Sequence, residues 1–290
     1  MSNSIIPVKI NSNACCSWEE AVLKLRSQPN QQKLVFDAYY DDPLIDSAKR
    51  YWRSEEWIAI RDLLPESGEV LDVGAGRGIA SYALAQDGFK VTALEPDDGD
   101  IVGTGVIHTL FCDAGLPITV VNGFSENLPF ADASFDVVFV RAVLHHTVSL
   151  ETACKEFARV LRPGGRVLAL REHVISNLYD KKIFLDMHPL HQLYGGENAF
   201  LLSDYQNALE QAGLHLLQVF DPFSSPINFA PHSLQELKYA IAGRVGRFFP
   251  VLIPIIAKAL SVTLFWKFLQ CILMVIDNRP GRLYSFVAIK

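Results

Sequence analysis

Apolar residues along this chain fall into two patterns that alternate. Short unbroken runs predict buried strands: Val70–Val73, Lys90–Leu94, Ile118–Val121, Ser134–Val140, Arg166–Arg171, Leu214–Phe220 and Leu283–Ile289. Between them, apolar residues at helical spacing predict helices over Ile79–Gln86, Ile101–Cys112, Leu150–Leu161 and Ser203–Ala212. Gly88 and Gly213 stop two of these helices, and Ser203 is the expected N-cap of the last. Earlier, a short amphipathic helix is expected near Trp18–Arg26, after a loosely ordered lead-in, and another helix starts near Ser54. Strands alternating with helices predict an α/β fold built on a mainly parallel sheet.

One turn stands out within this pattern. The first strand runs into Gly74-Ala75-Gly76-Arg77-Gly78, and the second ends at Glu95-Pro96. The glycines allow a sharp turn and let a ligand approach the backbone without a Cβ in the way. The helix after them points free N–H groups and its positive end at the same space. Glu95 is placed to accept hydrogen bonds from both hydroxyls of a ribose. Asp72, just before the glycines, would repel a pyrophosphate and favour a positively charged ligand. The dinucleotide fingerprint GxGxxG has Ile79 at its last position here, which argues against NAD.

The run Asp-x-Gly-x-Gly-x-Gly resembles the first motif of class I S-adenosylmethionine (SAM) dependent methyltransferases. Further motifs follow in order: Leu128-Pro129-Phe130, Phe135-Asp136-Val137-Val138 and Leu161-Arg162-Pro163-Gly164-Gly165. Together they resemble the type 11 group, which includes quinone and small-molecule methyltransferases, over about residues 68 to 172. The resemblance implies a doubly wound, seven-stranded, mostly parallel sheet (Rossmann-like) whose last strand is antiparallel. It implies methyl transfer from SAM to a small, hydrophobic acceptor by SN2, releasing S-adenosylhomocysteine. Two alternatives stay open: a SAM-binding regulator or scaffold without catalysis, and an NAD-dependent oxidoreductase.

The resemblance also assigns residues. Asp72, Gly74, Ala75, Gly76, Gly78, Glu95 and Pro96 are expected to line the cofactor, with Glu95 on the ribose. Phe124, Ser125 and Glu126 are expected beside the adenine. Many relatives carry an acid where this chain has Phe124, so either Phe124 stacks on the base or Glu126 supplies the acceptor. Arg141 is expected to meet the SAM carboxylate, by its side chain or its backbone. His145, His173, His188 and His191 are candidate general bases, since imidazole can take a proton near neutral pH. Tyr39, Tyr40, Tyr51, His146 and Tyr194 are candidates for the acceptor pocket, the tyrosines being equally readable as packing residues. No metal is expected, because no Cys, Asp or Glu cluster stands at ligand spacing in the sequence.

The expected organisation is an N-terminal helical cap (1–64), a SAM-binding core (65–220), an apolar lid insertion (221–282) and a final core strand (283–290). Two insertions, 172–202 and 221–282, leave from carboxyl ends of strands and are expected over the active-site face. The run 248–276 is apolar enough to span a membrane but is interrupted by Pro250, Pro254, Lys258, Lys267 and Gln270. It reads as an apolar lid, a peripheral membrane contact or a dimer contact. The net charge of -6 leaves no basic excess for nucleic acid. The five cysteines form no C-x-x-C pair and read as reduced thiols. With no signal-peptide pattern at the N-terminus, a cytoplasmic protein is expected.

Overall fold

The computed structural model describes residues 16–290. Cys15 and most of the expected lead-in lie outside the described residues. Four helices come first: α1 (Trp18–Ser27), α2 (Gln32–Asp37), α3 (Leu44–Trp52) and α4 (Glu55–Arg61). Ser17 caps α1 in a capping box with Glu20, and the Ser54 hydroxyl caps α4 by accepting from the Trp57 N–H.

The α/β region follows in chain order: β1 (Glu69–Val73), α5 (Ile79–Gln86), β2 (Lys90–Glu95), α6 (Thr104–Ala114), β3 (Thr119–Asn122), β4 (Phe135–Arg141), α7 (Leu150–Val160) and β5 (Leu161–Ile175). Then come α8 (Leu178–Met187), α9 (Pro189–Tyr194), the two-residue β6 (Phe200–Leu201), α10 (Leu202–Gln211) and β7 (His215–Phe220). The insertion holds α11 (Pro226–Phe229), α12 (Leu234–Val245), α13 (Ile253–Leu260) and α14 (Thr263–Ile276), and β8 (Arg282–Ile289) closes the chain.

The strands form one sheet in the order β3-β2-β1-β4-β5-β8-β7, with β6 as an extra pairing on β5. The first five are parallel, and β8 runs antiparallel between β5 and β7. This is the expected seven-stranded sheet with one short strand added. Side chains of a strand alternate faces. Val137 and Phe139 of β4 therefore pack with Tyr51, Trp57, Ala83 and Leu84 on one side. Val138 and Val140 pack with Phe157, Tyr205 and Leu209 on the other. The same alternation sends Asp72 to the α5 side, where Ser81 waits.

Three expectations change in detail. Ser203 is not an N-cap: α10 starts one residue earlier, and Asp204 accepts from the Leu201 N–H in its place. The fifth strand runs past Arg171 to Ile175, because β8 pairs with it out to Val174. The run 248–276 is broken: α13 and α14 are bent by 98°. No helix among the described residues is long and apolar enough to cross a membrane. Ala242, Leu260 and Trp266 form a small core of this insertion, while Leu264, Phe268 and Val275 of α14 are exposed.

Candidate functional site

The glycine turn sits at the carboxyl end of β1, where open α/β sheets hold ligands. Gly74, Gly76 and Gly78 take φ of 65°, 59° and 78°, the left-handed region that glycine enters without a Cβ clash. A Cβ on Gly74 would lie 2.5 Å from the Val143 side chain, whereas a Cβ on Gly76 would meet nothing within 4 Å. Gly74 is thus a packing glycine, and Gly76 faces open space.

Two buried acids flank that space. Asp72 accepts from the Ser81 hydroxyl on α5, and burial pushes its carboxyl up to about 7. Glu95 accepts from the Gly76 N–H at 2.7 Å and the Asp97 N–H at 3.2 Å, and burial pushes it up to about 7 as well. Both would gain from a partner that favours the carboxylate: a cation for Asp72, hydroxyl donors for Glu95. The Tyr51 hydroxyl is buried and without a hydrogen-bond partner, in the field of Glu56, Arg141 and Asp72. A sulfonium nucleoside fits this chemistry. Asp72, Gly74, Ala75, Gly76, Gly78 and Glu95 are the residues that would hold it.

Arg77, inside the glycine turn, was not legible as functional. Its buried guanidinium donates to the carbonyls of Tyr39, Asp41 and Ile101 and pairs with Asp42. It fastens the N-terminal cap to the turn. Pro96 lends its carbonyl to the Asn122 side chain, joining the ends of β2 and β3.

At the far side of the turn, Phe124 is exposed. Ser125 donates to one Glu126 oxygen, and the Val148 N–H donates to the other. The Glu126 carboxylate thus ties two loops together, with one hydrogen bond on each oxygen. The exposed Phe124 ring is open to stacking on a base. Arg141 is held by the cap: its Nε and one Nη donate to the two Glu56 oxygens at 2.7 and 3.1 Å, which leaves its other Nη and its backbone for a ligand carboxylate. Glu56, on α4, gave no sign of this in the sequence.

The loop after β4 is held by Glu172, which accepts from the N–H groups of Val143, Leu144 and His145. Its Oε2 also lies 2.7 Å from His145 Nδ1. Ala142, just past the end of β4, and Arg171, at the irregularity in the β5–β8 pairing, take φ of 58° and 60°. Non-glycine residues held there are strained, and such strain collects at functional edges. Glu172 could have been suspected as an acid at the carboxyl edge of the sheet.

The histidines converge on a second missed residue. Glu197, buried and in the loop after α9, lies 3.6 Å from His145 Nε2, 3.7 Å from His146 Nε2 and 3.8 Å from His188 Nδ1. His173 packs edge-on against His145, with ring centres 4.7 Å apart, and its Nδ1 meets the Gly281 carbonyl at 2.8 Å. Burial holds His173 well below the usual imidazole range. Burial also lowers His146, to about 4, helped by the neighbouring His145. Burial opposes charge on His145 as well, but Glu172 and Glu197 outweigh it and raise it to about 9. His191 sits on α9 with its Nδ1 buried and unpartnered, and its N–H bonds His188.

Aromatic residues wall the same region. Trp18 packs edge-on against Tyr194 (4.5 Å), Tyr40 (6.2 Å) and His146 (6.2 Å). The Tyr194 hydroxyl reaches Glu197 at 3.3 Å. Trp18 was not a candidate in the sequence, because its helix gave no link to this wall. Tyr39 and Tyr51 stand apart. They pack edge-on at 5.3 Å, with Tyr51 fully buried against Trp57. Nearby, a cleft of about 660 Å³ between the cap and residues 230–236 is lined in part by Tyr39, Arg50 and Glu56. It does not include the glycine turn.

Residues 71–169 match the family model of a methyltransferase domain. The chain is 34% identical over 130 residues to the sterol 24-C-methyltransferase of Eremothecium gossypii, covering 44% of this chain and 34% of that protein. It is 33% identical over 119 residues to the demethylmenaquinone methyltransferase of Mycobacterium marinum, covering 41% of this chain and 47% of that one. The chain thus spans about a third to a half of the length of these relatives. In fold it is similar to the YcgJ protein of Bacillus subtilis, at 18% identity and a TM-score of 0.52, covering 81% of this chain and 97% of that structure.

Proposed function

Residues 71–169 being a class I, SAM-dependent methyltransferase domain, we propose that the whole chain transfers a methyl group to a small apolar acceptor. One observation supports this most. At the carboxyl edge of the sheet, Gly76 has open space where a Cβ would stand and donates its N–H to the buried Glu95, and the buried Asp72 lies near the end of the strand that leads into this turn. When bound, SAM supplies a methyl group already activated by its sulfonium. The protein's part is then to align the acceptor and exclude water. Glu95 would hold the ribose, Asp72 would offset the positive end, and Phe124 would cover the base.

Methyl transfer forms one bond from the nucleophile to the methyl carbon and breaks the carbon–sulfur bond, releasing S-adenosylhomocysteine. A nucleophile that carries a proton must also lose it. The neutral imidazoles of His146 and His188 would receive it. The wall of Trp18, Tyr40 and Tyr194 suits a flat apolar acceptor. The similar proteins named above act, by their names, on a sterol and on demethylmenaquinone, which are large and apolar. The exposed apolar face of α13 and α14, with Lys258 and Lys267 along it, suits a contact with a membrane surface from which such an acceptor could be drawn.

The test is calorimetric titration with SAM, S-adenosylhomocysteine and NADH, then transfer of labelled methyl from SAM to hydroquinones, phenols and sterols. Binding of the first two ligands with turnover of one acceptor class is expected. SAM binding without turnover of any acceptor would leave a SAM-binding regulator. Binding of NADH alone would overturn the reading.

A further inference from the structure

Beyond the cofactor turn, three segments bring ligand-type side chains to one point. His145 comes from the loop after β4, His173 from β5 and Glu197 from the loop after α9. One donor atom from each lies within 4.8 Å of the others. We propose that His145, His173 and Glu197 form a binding site for one divalent first-row transition cation of the zinc type.

The spacing is the first argument. Glu197 stands 3.6 Å from His145 Nε2 and 3.7 Å from His146 Nε2. Nitrogen–oxygen hydrogen bonds close at about 2.7–3.2 Å, so these are not good hydrogen bonds. Ligands bound to zinc at about 2.0–2.2 Å in tetrahedral geometry stand about 3.3–3.6 Å from one another. The gap between His145 and Glu197 is of that size, and His173 offers a donor atom within 4.8 Å of both.

The outer contacts are the second argument. A ligating histidine usually gives its other ring N–H to a carboxylate or a backbone carbonyl, which fixes the tautomer and aims the free nitrogen. Both arrangements occur here. His145 Nδ1 meets Glu172 Oε2 at 2.7 Å, and His173 Nδ1 meets the Gly281 carbonyl at 2.8 Å. His173 Nε2 keeps its lone pair for the ion, and His145 ligates through Nε2 once the cation displaces its proton. Two imidazoles and one carboxylate suit zinc, iron(II) or manganese better than calcium or magnesium. Three protein ligands leave a fourth position for water or another oxygen donor, as catalytic sites do. His146 and His188, both partly accessible, flank Glu197 beside it.

Spacing alone could not join Glu197 to the two histidines, because it is 52 residues from His145 and belongs to no spaced motif. The site goes beyond methyl transfer and is tested apart from it. Untagged full-length protein is stripped with chelator, shown to bind SAM, and titrated with Zn2+ by calorimetry. Co2+ is then used as a visible-absorption probe. One Zn2+ per chain and the absorption of a four-coordinate Co2+ centre are expected. His173→Ala and Glu197→Gln should abolish both while leaving SAM binding and circular dichroism unchanged. Glu172→Gln, which touches no ion, should weaken Zn2+ about 10–100-fold. If stripped wild type binds SAM but neither Zn2+ nor Co2+, the site is not a metal site, and methyl transfer stands unaffected. Unchanged Zn2+ affinity in both ligand variants would overturn the assignment equally.

Discussion

Glu56 and Arg141 meet as a buried two-point pair, joining the cap helix α4 to the carboxyl end of β4. Removing one partner leaves the other charge buried and unpaired, which costs about 3–5 kcal/mol. Glu56→Gln and Arg141→Met should each lower the unfolding free energy by that amount, read from urea unfolding curves. The double variant removes both charges of the pair and should recover part of the loss, but not all, because Arg171 then lacks the Glu56 carboxylate that lies 3.8 Å from it. Equal losses in all three would mean that the pair acts by packing alone.

The carboxylate of Glu95 is the proposed ribose acceptor. Hydrogen bonds to a charged group contribute about 1.5–3 kcal/mol, so Glu95→Gln should weaken SAM at least about tenfold in calorimetry. S-adenosylhomocysteine, which has the same ribose, should weaken in parallel. An unchanged affinity for both would place the ribose elsewhere.

Asp72 gives a pH dependence with a defined sign. Its carboxyl moves from an ordinary 3.8 to about 7 on burial, so the folded protein binds a proton there that the unfolded chain has lost. Between these values the contribution to stability falls as pH rises, and above about 7 it stays flat. Asp72→Asn should therefore gain on wild type from about pH 4 to pH 7, read from urea midpoints. SAM binding should show the opposite trend. The cationic ligand favours the carboxylate, so wild-type affinity should rise from pH 6 to pH 8, and more steeply than in Asp72→Asn.

The two central glycines should separate packing from binding. Alanine at either position is strained by the left-handed backbone, at about 1–2 kcal/mol. Gly74→Ala adds a clash with Val143 and should lower the melting temperature further. Gly76→Ala meets no protein atom, so its larger effect should fall on SAM affinity.

The exposed apolar face of α14 should respond to charge. Leu264→Glu together with Phe268→Glu should abolish co-sedimentation with anionic lipid vesicles and leave SAM affinity unchanged. Absence of wild-type co-sedimentation would remove the membrane contact.

The fold was legible where physics is local. Unbroken runs such as Val137–Val140 can only be strands buried on both faces. The glycine turn with Asp72 and Glu95 lies within 27 residues, so the sequence displays it whole. What failed to show was long-range. The partner of Arg141, Glu56, lies 85 residues earlier, so their pairing could not be read from spacing. The histidines looked scattered because Glu197, Glu172 and Gly281 reach them only after the sheet forms. The bend between α13 and α14 was hidden too. The prolines in the run drew attention, but the chain turns at Ser261 and Val262.

The position of β8 has a consequence for how this protein could change over time. Phe220 and Ser285 face each other across β7 and β8, so the insertion departs and returns at one hairpin mouth. Its first part is stitched to the sheet, since Asn228 bonds Phe220, Asp221 and Ser285. The helices beyond that stitch hang on the mouth like an exchangeable attachment. Another segment could replace them without disturbing the strand register or the glycine turn at the opposite half of the sheet. A lineage could thus retune what the protein touches and keep its chemical engine intact.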